Sequence, residues 1–282
     1  MIKIVVSSFC QTPGLAYGLK NYLGDKAKIY AHPIFDEKLI NQEFIDKNFS
    51  KINFFVHSFS KNIQKLNFKN TTLIRCPMIQ YPEFHPDLSS ISIKTAQKYH
   101  SGIVAAGYKF KISKKEILKF FNKKIYDKLN FKYLLKKSKK ILFKEFDNSD
   151  FKNQKENFFN DISKVRIFMH TPTHTTGYGF GCISKYVSKY IDNSLKIDKI
   201  IPTKDLLSYL QWSIYPNLLN YNDIKGNYFW KINFTGAKKE VIISSLEDFC
   251  NYFYSEYDQD PLMVKRKYSI SNLLKSKFEE IF

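Results

Sequence analysis

Long apolar runs are missing from this 282-residue chain. No stretch approaches the roughly 18 consecutive apolar residues that a membrane-spanning helix needs, which excludes integral insertion through helices. Cysteine is scarce: Cys10, Cys76, Cys182 and Cys250 are scattered, with no CxxC pair and no Cys/His cluster. That spacing argues against a structural zinc site, and no metal is expected. Arginine is scarcer still. Arg75, Arg166 and Arg266 are the only three, so the net charge of +19 rests almost wholly on lysine. The guanidinium is the group suited to bidentate phosphate and base contacts, and its rarity argues against nucleic acid as a partner. Alanine occurs only seven times while Lys, Asn, Ile, Phe and Tyr abound, as in an AT-rich genome, which accounts for part of the charge. An anionic small molecule or an anionic membrane surface is the better-supported partner.

Core-forming material is plentiful. Hydrophobic residues make up 44% and aromatics 17%, enough to exclude a disordered tail protein. The length fits one large domain or two small ones. Met1 to Val6 is apolar but short and runs at once into Ser7-Ser8, so it reads as a first strand and not as a secretory signal. A reducing cytoplasm is the expected compartment, with all four thiols free.

The first 80 or so residues alternate as strand, loop and helix. Residues 2–6, 27–31, 52–56 and 72–74 read as buried strands, while Leu15 to Leu23 and Leu39 to Phe49 carry helical spacing. This pattern predicts an α/β fold: a small, mostly parallel sheet with a large helical component, whose strand C-termini carry the site. Residues 91–164 read as a helical insertion. Within it, Lys132 to Lys144 is a basic amphipathic helix, read as a solvated lysine face over a core stripe; docking on an anionic bilayer is the alternative. Arg166 to Met169 resembles another strand, with a helix expected around Ile183 to Ile191. Tyr228 to Phe234 and Glu240 to Ile243 read as paired strands, and Ser244 with Glu247 as the capping box of a helix to Tyr257. The tail from Leu262 to Phe282 reads as a last helix. Without repeats or a clear linker, one compact domain over 1–282 is preferred, with its α/β core at about 1–90 and 165–257.

Three loops carry candidate chemistry. Ser7-Ser8-Phe9-Cys10-Gln11 follows the first strand and precedes a helix, whose N–H groups lower a thiol pKa and stabilise an oxyanion. Cys10 is a candidate nucleophile there and Gln11 an amide donor, although a free cysteine often only packs. Pro82-Glu83-Phe84-His85-Pro86-Asp87 is a rigid turn that holds His85 and Asp87 at a pocket rim, or is ordinary turn chemistry. His170 and His174 are separated by Pro172, which argues against a zinc-binding helical pair and leaves a lone histidine as general base. The Gly177-x-Gly179-x-Gly181 run lacks a Walker ending and only weakly suggests phosphate binding. His32, His57 and His100 read as structural.

Taken in order, these segments resemble the WcbI family of polysaccharide-biosynthesis proteins. Ser8-Phe9-Cys10-Gln11 after Val5-Val6 is similar to the family's strand and Gly-Asn-Cys-Gln motif. Tyr81 to Asp87 is similar to its aromatic stretch leading into His-Pro-Asp, and Ile103 to Tyr108 with the following Ser113 to Phe121 helix to its Ala-Tyr-x-x-Gly segment. Thr173-His174-Thr175 resembles an Asn-His-Pro loop, and Leu246 to Tyr257 a closing acidic helix. Gly-Asn has become Ser-Phe before Cys10, and Asn-His-Pro has become Thr-His-Thr.

The resemblance implies coenzyme A or acetyl-CoA as a bound substrate and acyl transfer onto a capsular sugar. It implies catalytic roles for His174, Cys10 and Gln11, and cofactor contacts from Ser8, His85, Asp87, His170 and Thr173. The expected partners are an acyl-CoA and a sugar or glycan acceptor, with peripheral contact at an anionic membrane or with capsule-assembly proteins. Two other readings stay open: a nucleotide-sugar glycosyltransferase, and a non-catalytic coenzyme A- or glycan-binding accessory protein.

Overall fold

Strand β1 (Ile2–Ser7) lacks polar–apolar alternation: Ile4, Val5 and Val6 are all buried, as in a strand covered on both faces. In the computed structural model, which describes residues 1–36, 40–49, 51–59, 63, 66–93, 96–218, 225–232, 240–260 and 280–281, β1 lies inside a parallel sheet. Its neighbours are β2 (Ala27–Ala31) and β3 (Phe54–His57), and β4 (Thr72–Arg75) pairs with β3. All four expected N-terminal strands are present. The order β2-β1-β3-β4 reverses between β1 and β3. A reversal of that kind opens a crevice outside the carboxyl ends of the strands, the usual ligand position in open α/β sheets. The register sets Ser7 beside His57, and His57 beside Arg75, at those ends.

Helix α1 (Thr12–Leu23) follows β1, and Pro13 in its first turn is pre-set to the helical φ. Its buried stripe of Leu15, Leu19 and Leu23 covers one side of the sheet. The other side is covered by a cluster of Val5, Phe55 and Phe59 with Ile34, Ile40 and Ile45, the last from α2 (Gln42–Phe49). Helix α8 (Gly177–Ile191) packs along α1 through small residues. A Cβ at Gly14 would overlap the Phe180 ring, and one at Gly18 would overlap the Ser184 side chain. These contacts advance in the same direction along both helices, so α1 and α8 run parallel and begin at the same end. The loops preceding them, one with Cys10 and one with His174, are thereby brought together.

The described residues cluster into two compact units. The first comprises 1–81, 139–169 and 173–207: the sheet, α1, α2, α8 and α7 (Lys155–Ile162). The second comprises 82–138, 170–172 and 208–282. It holds the antiparallel hairpin of β5 (Leu88–Ile93) and β6 (Ala96–Ser101), the helices α3 (Gly102–Lys109), α4 (Lys114–Ile117) and α5 (Lys123–Lys128), and α9 (Leu246–Gln259). Strands β9 (Trp230–Ile232) and β10 (Val241–Ile243) pair antiparallel, as expected. The indole of Trp230 stacks on Phe249 at 3.9 Å, and Trp212 meets Phe249 edge-on at 5.5 Å. His100 hydrogen-bonds Tyr257 at 3.2 Å inside this aromatic core, a structural role.

Several expectations need correction. The stretch expected to be helical from 91 begins as strand, and its helices start only at Gly102; Ile91 and Ile93 alternating with Ser90 and Ser92 is a period of two. The Ser113 to Phe121 helix is shorter, α4 followed by a 3-10 turn at Leu118–Phe120. The cap of α9 is Ser245, one residue later than expected, and its side chain accepts from the Asp248 N–H at 3.0 Å. Helix α8 starts at Gly177, not near Ile183, so the glycine run sits inside the helix, where Gly181 lets the Ile201 carbonyl approach closely. Lys132 to Lys144 does lie in a helix, α6 (Phe131–Asp147), with Leu142 and Phe146 buried and Lys140 and Lys144 exposed. Of the C-terminal helix, residues 262–279 and 282 lie outside the described residues, as do 233–234 of the Tyr228 to Phe234 strand. Among the described residues, no helix is long and apolar enough to cross a membrane.

Candidate functional site

The chain must turn sharply between Ser7 and Thr12. Phe9 makes that turn with φ +48°, in the left-handed region, at a cost on the order of 1–2 kcal/mol for a bulky side chain. Neighbouring contacts hold it there. The Thr12 hydroxyl donates to the Phe9 carbonyl at 2.8 Å and accepts from the Ser8 N–H at 2.6 Å. The Phe9 ring meets Phe59 edge-on at 5.1 Å. Cys10 is thereby presented half-buried at the head of α1.

The buried Gln11 ties this loop to two others. Its amide nitrogen donates to the Ile79 carbonyl at 2.9 Å and to the Thr173 carbonyl at 2.8 Å, while its oxygen accepts from the Ile79 N–H at 3.2 Å. Both amide protons go to backbone carbonyls, so in this structure the side chain acts as a clamp between loops. One end of the clamp is the neighbour of Cys10, and the other is the neighbour of His174. A second tie joins the loops after β1 and β3: the Ser8 and Ser58 hydroxyls hydrogen-bond at 2.7 Å.

His174 opens the short strand β8 (His174–Thr175), after β7 (Met169–Thr171), and is 5% exposed. Behind it, the Thr175 hydroxyl and the Thr176 N–H both donate to the Phe168 carbonyl, at 2.7 and 2.9 Å. The imidazole therefore stands on backbone fixed on both sides, by Gln11 before it and Phe168 after it. Because 169–171 is strand, His170 and His174 do not form a helical pair. Among the described residues, no group of three His, Cys, Asp or Glu is placed to hold a metal ion.

The electrostatics correct one expectation directly. Burial pushes the Cys10 thiol up to about 11, and its own backbone N–H only partly opposes this. Desolvation outweighs that hydrogen bond, which favours the neutral thiol at pH 7. His57 is driven the other way, down to about 4, by burial and then by the Arg75 charge. Its Nδ1 accepts the Phe59 N–H at 3.3 Å, a bond only neutral imidazole can take. Among the described residues, His57 Nε2 and Ser7 Oγ are both buried without a hydrogen-bond partner, on residues adjacent in the register at the crevice.

Ser8, Cys10, Gln11, Thr173 and His174 thus belong to one unit and are joined by hydrogen bonds or chain adjacency. His85, Asp87 and His170 belong to the second unit. There the Asp87 carboxylate is engaged by the chain itself. Fully buried, it accepts from the Ser101 and Tyr215 hydroxyls and from the Ile103 N–H, capping the start of α3. Burial raises its pKa against those hydrogen bonds. His85 is buried in the same turn, its carbonyl accepting from Leu88, and the His170 carbonyl accepts from the Trp212 N–H at 2.8 Å. Sequence reasoning missed Ser58, Thr12, Ile79 and the crevice position of His57. No sequence signal marked Ser58, because the strand read there ends at Val56 and the order reversal is set by strand pairing in the fold.

By sequence, the chain matches no protein-family profile and no curated protein. By structure, it is similar to WcbI, described as a novel polysaccharide biosynthesis enzyme and solved as the native protein without a disulfide bond between coenzyme A and one of its cysteines. The TM-score is 0.64 at 12% identity, over 98% of this chain and 99% of that one. The two proteins share a fold along essentially their whole length.

Proposed function

We propose that the chain is an enzyme of surface-polysaccharide biosynthesis that transfers an acyl group, acetyl in the simplest case, from coenzyme A to a saccharide hydroxyl. The observation that carries this reading is the Gln11 clamp. It holds a thiol-bearing loop and an imidazole-bearing loop together at the order reversal of the sheet. The fold shared with a protein solved in connection with coenzyme A supports the choice of cofactor. The net charge of +19 suits a ligand carrying several phosphates.

In this mechanism His174 takes the proton of the acceptor hydroxyl as its oxygen attacks the thioester carbonyl. The N–H groups opening α1 face the developing oxyanion. The C–S bond breaks, and the departing coenzyme A thiolate recovers the proton from His174. Ser8 and Thr173 line the cofactor end. Gln11 positions both loops and touches neither reactant. Cys10 lines the pocket and does not carry the acyl group, because a thiol held near 11 is scarcely ionised at neutral pH.

The test is turnover of acetyl-CoA with a panel of sugar acceptors. His174→Ala should lower the rate by about 10²–10⁴-fold while coenzyme A binding persists. Full activity in that variant would remove His174 from the mechanism. Coenzyme A binding without turnover on any acceptor would favour the accessory-protein reading.

A further inference from the structure

Helices α7 and α8 and the turn at 149–154 enclose a cleft of about 780 Å³, lined entirely from the first unit. That volume lies in the range of small-ligand sites. Four carboxamides line it, from Asn153, Gln154, Asn157 and Asn160. The buried Asp161 carboxylate is fixed there by Lys185 at 2.7 Å and the Tyr186 hydroxyl at 2.9 Å. Burial alone would raise its pKa, but hydrogen bonds from Lys164, Lys185 and Tyr186 hold it at about 2. Tyr190, 52% exposed, stands in the lining with its ring 5.5 Å from Phe151.

These features select against an ion. Among the lining residues Lys185 and Lys189 are balanced by Asp150 and Asp161, and Lys164, outside the lining, is itself held on Asp161 at 2.7 Å. A phosphorylated ligand finds no focused positive potential there. Beyond the Asn157 to Gln154 hydrogen bond at 3.5 Å, an aliphatic ligand would bury carboxamide atoms that it cannot pair, at about 1–3 kcal/mol each. A carboxamide places a donor beside an acceptor, the pairing that two neighbouring hydroxyls of a sugar ring require. An exposed tyrosine ring supplies the flat apolar surface on which the C–H face of that sugar rests.

We infer that this cleft binds an uncharged saccharide, a short run of neutral sugar units. It uses none of the residues of the thiol and imidazole loops, so the inference does not depend on coenzyme A being the acyl donor. The experiment is calorimetric titration of the full chain with neutral gluco-, galacto- and manno-oligosaccharides, with uronate-containing counterparts as the charged arm. The same titrations are repeated on Tyr190→Ala and Asn157→Ala, both at exposed positions. At least one neutral oligosaccharide should bind. Each variant should weaken that binding tenfold or more, while leaving thermal stability and any coenzyme A affinity unchanged. No binding of any neutral member at about 10 mM would overturn the inference, as would binding that both variants leave intact or a preference for the charged arm.

Discussion

Replacing Gln11 by Ala tests the clamp at its centre. The side chain is 3% exposed and makes three hydrogen bonds, at 2.8, 2.9 and 3.2 Å. Truncation removes the partner of the Ile79 N–H and one donor each from the Ile79 and Thr173 carbonyls. A stranded buried group costs about 1–3 kcal/mol, with carbonyls at the lower end because a second lone pair stays available. The expected loss is about 3 kcal/mol. At typical urea dependences that shifts the unfolding midpoint by on the order of 1 M. Gln11→Glu keeps the acceptor but sets a carboxylate oxygen against two carbonyls, and should cost at least as much. Hydrogen exchange supplies a local readout, since protection of the Ile79 amide should fall with the clamp. A loss below about 1 kcal/mol, with Ile79 protection intact, would refute the argument.

Three further outcomes follow. The folded-state pKa of His57 lies below its unfolded value, so the unfolded chain takes the proton first. Stability is then complete above about pH 6.5 and falls by about 3 kcal/mol as pH drops toward 4; urea midpoints across that window should show the slope, and His57→Phe should flatten it. An unchanged slope in His57→Phe would contradict the assignment. Alkylation of Cys10 by iodoacetamide at pH 7 should be more than tenfold slower than for a free thiol, because a pKa near 11 leaves so little thiolate, and Cys10→Ser should retain much of the transfer rate. Fast alkylation or a trapped acyl-cysteine would reverse the choice of direct transfer. Replacing the exposed Lys140 and Lys144 of α6 by Gln should leave coenzyme A affinity nearly unchanged; a large loss without unfolding would place the anion site on that helix.

The parallel sheet was legible because its strands are unbroken apolar runs such as Ile4-Val5-Val6, bounded by polar loops. Strands β5 and β6 were misread because the short alternation Ser-Ile-Ser-Ile was absorbed into a lysine-rich helical stretch. For the site, position after a strand pointed to Cys10 and Gln11, and the resemblance of Thr173-His174-Thr175 to a family loop pointed to His174. The sequence did not disclose what each group spends its hydrogen bonds on. Gln11 and a catalytic amide look alike until the Ile79 and Thr173 carbonyls are seen to take both protons. Asp87 looked like a rim carboxylate until Ser101 and Tyr215 closed over it from elsewhere in the chain. The thiol pKa failed for the same reason: helix position is local, whereas desolvation depends on what the rest of the fold packs against Cys10.

The central claim is that coenzyme A occupies the crevice beside Cys10 and His174. Thermal unfolding with and without coenzyme A tests it most directly, on the wild-type chain and on Cys10→Trp, which fills the half-buried position with an indole. At about a hundredfold excess over its dissociation constant, a ligand binding only the folded state adds about 2.7 kcal/mol. The wild-type midpoint should therefore rise by several degrees, and the Cys10→Trp midpoint should not respond. No rise in the wild type, or an equal rise in both proteins, would contradict the account.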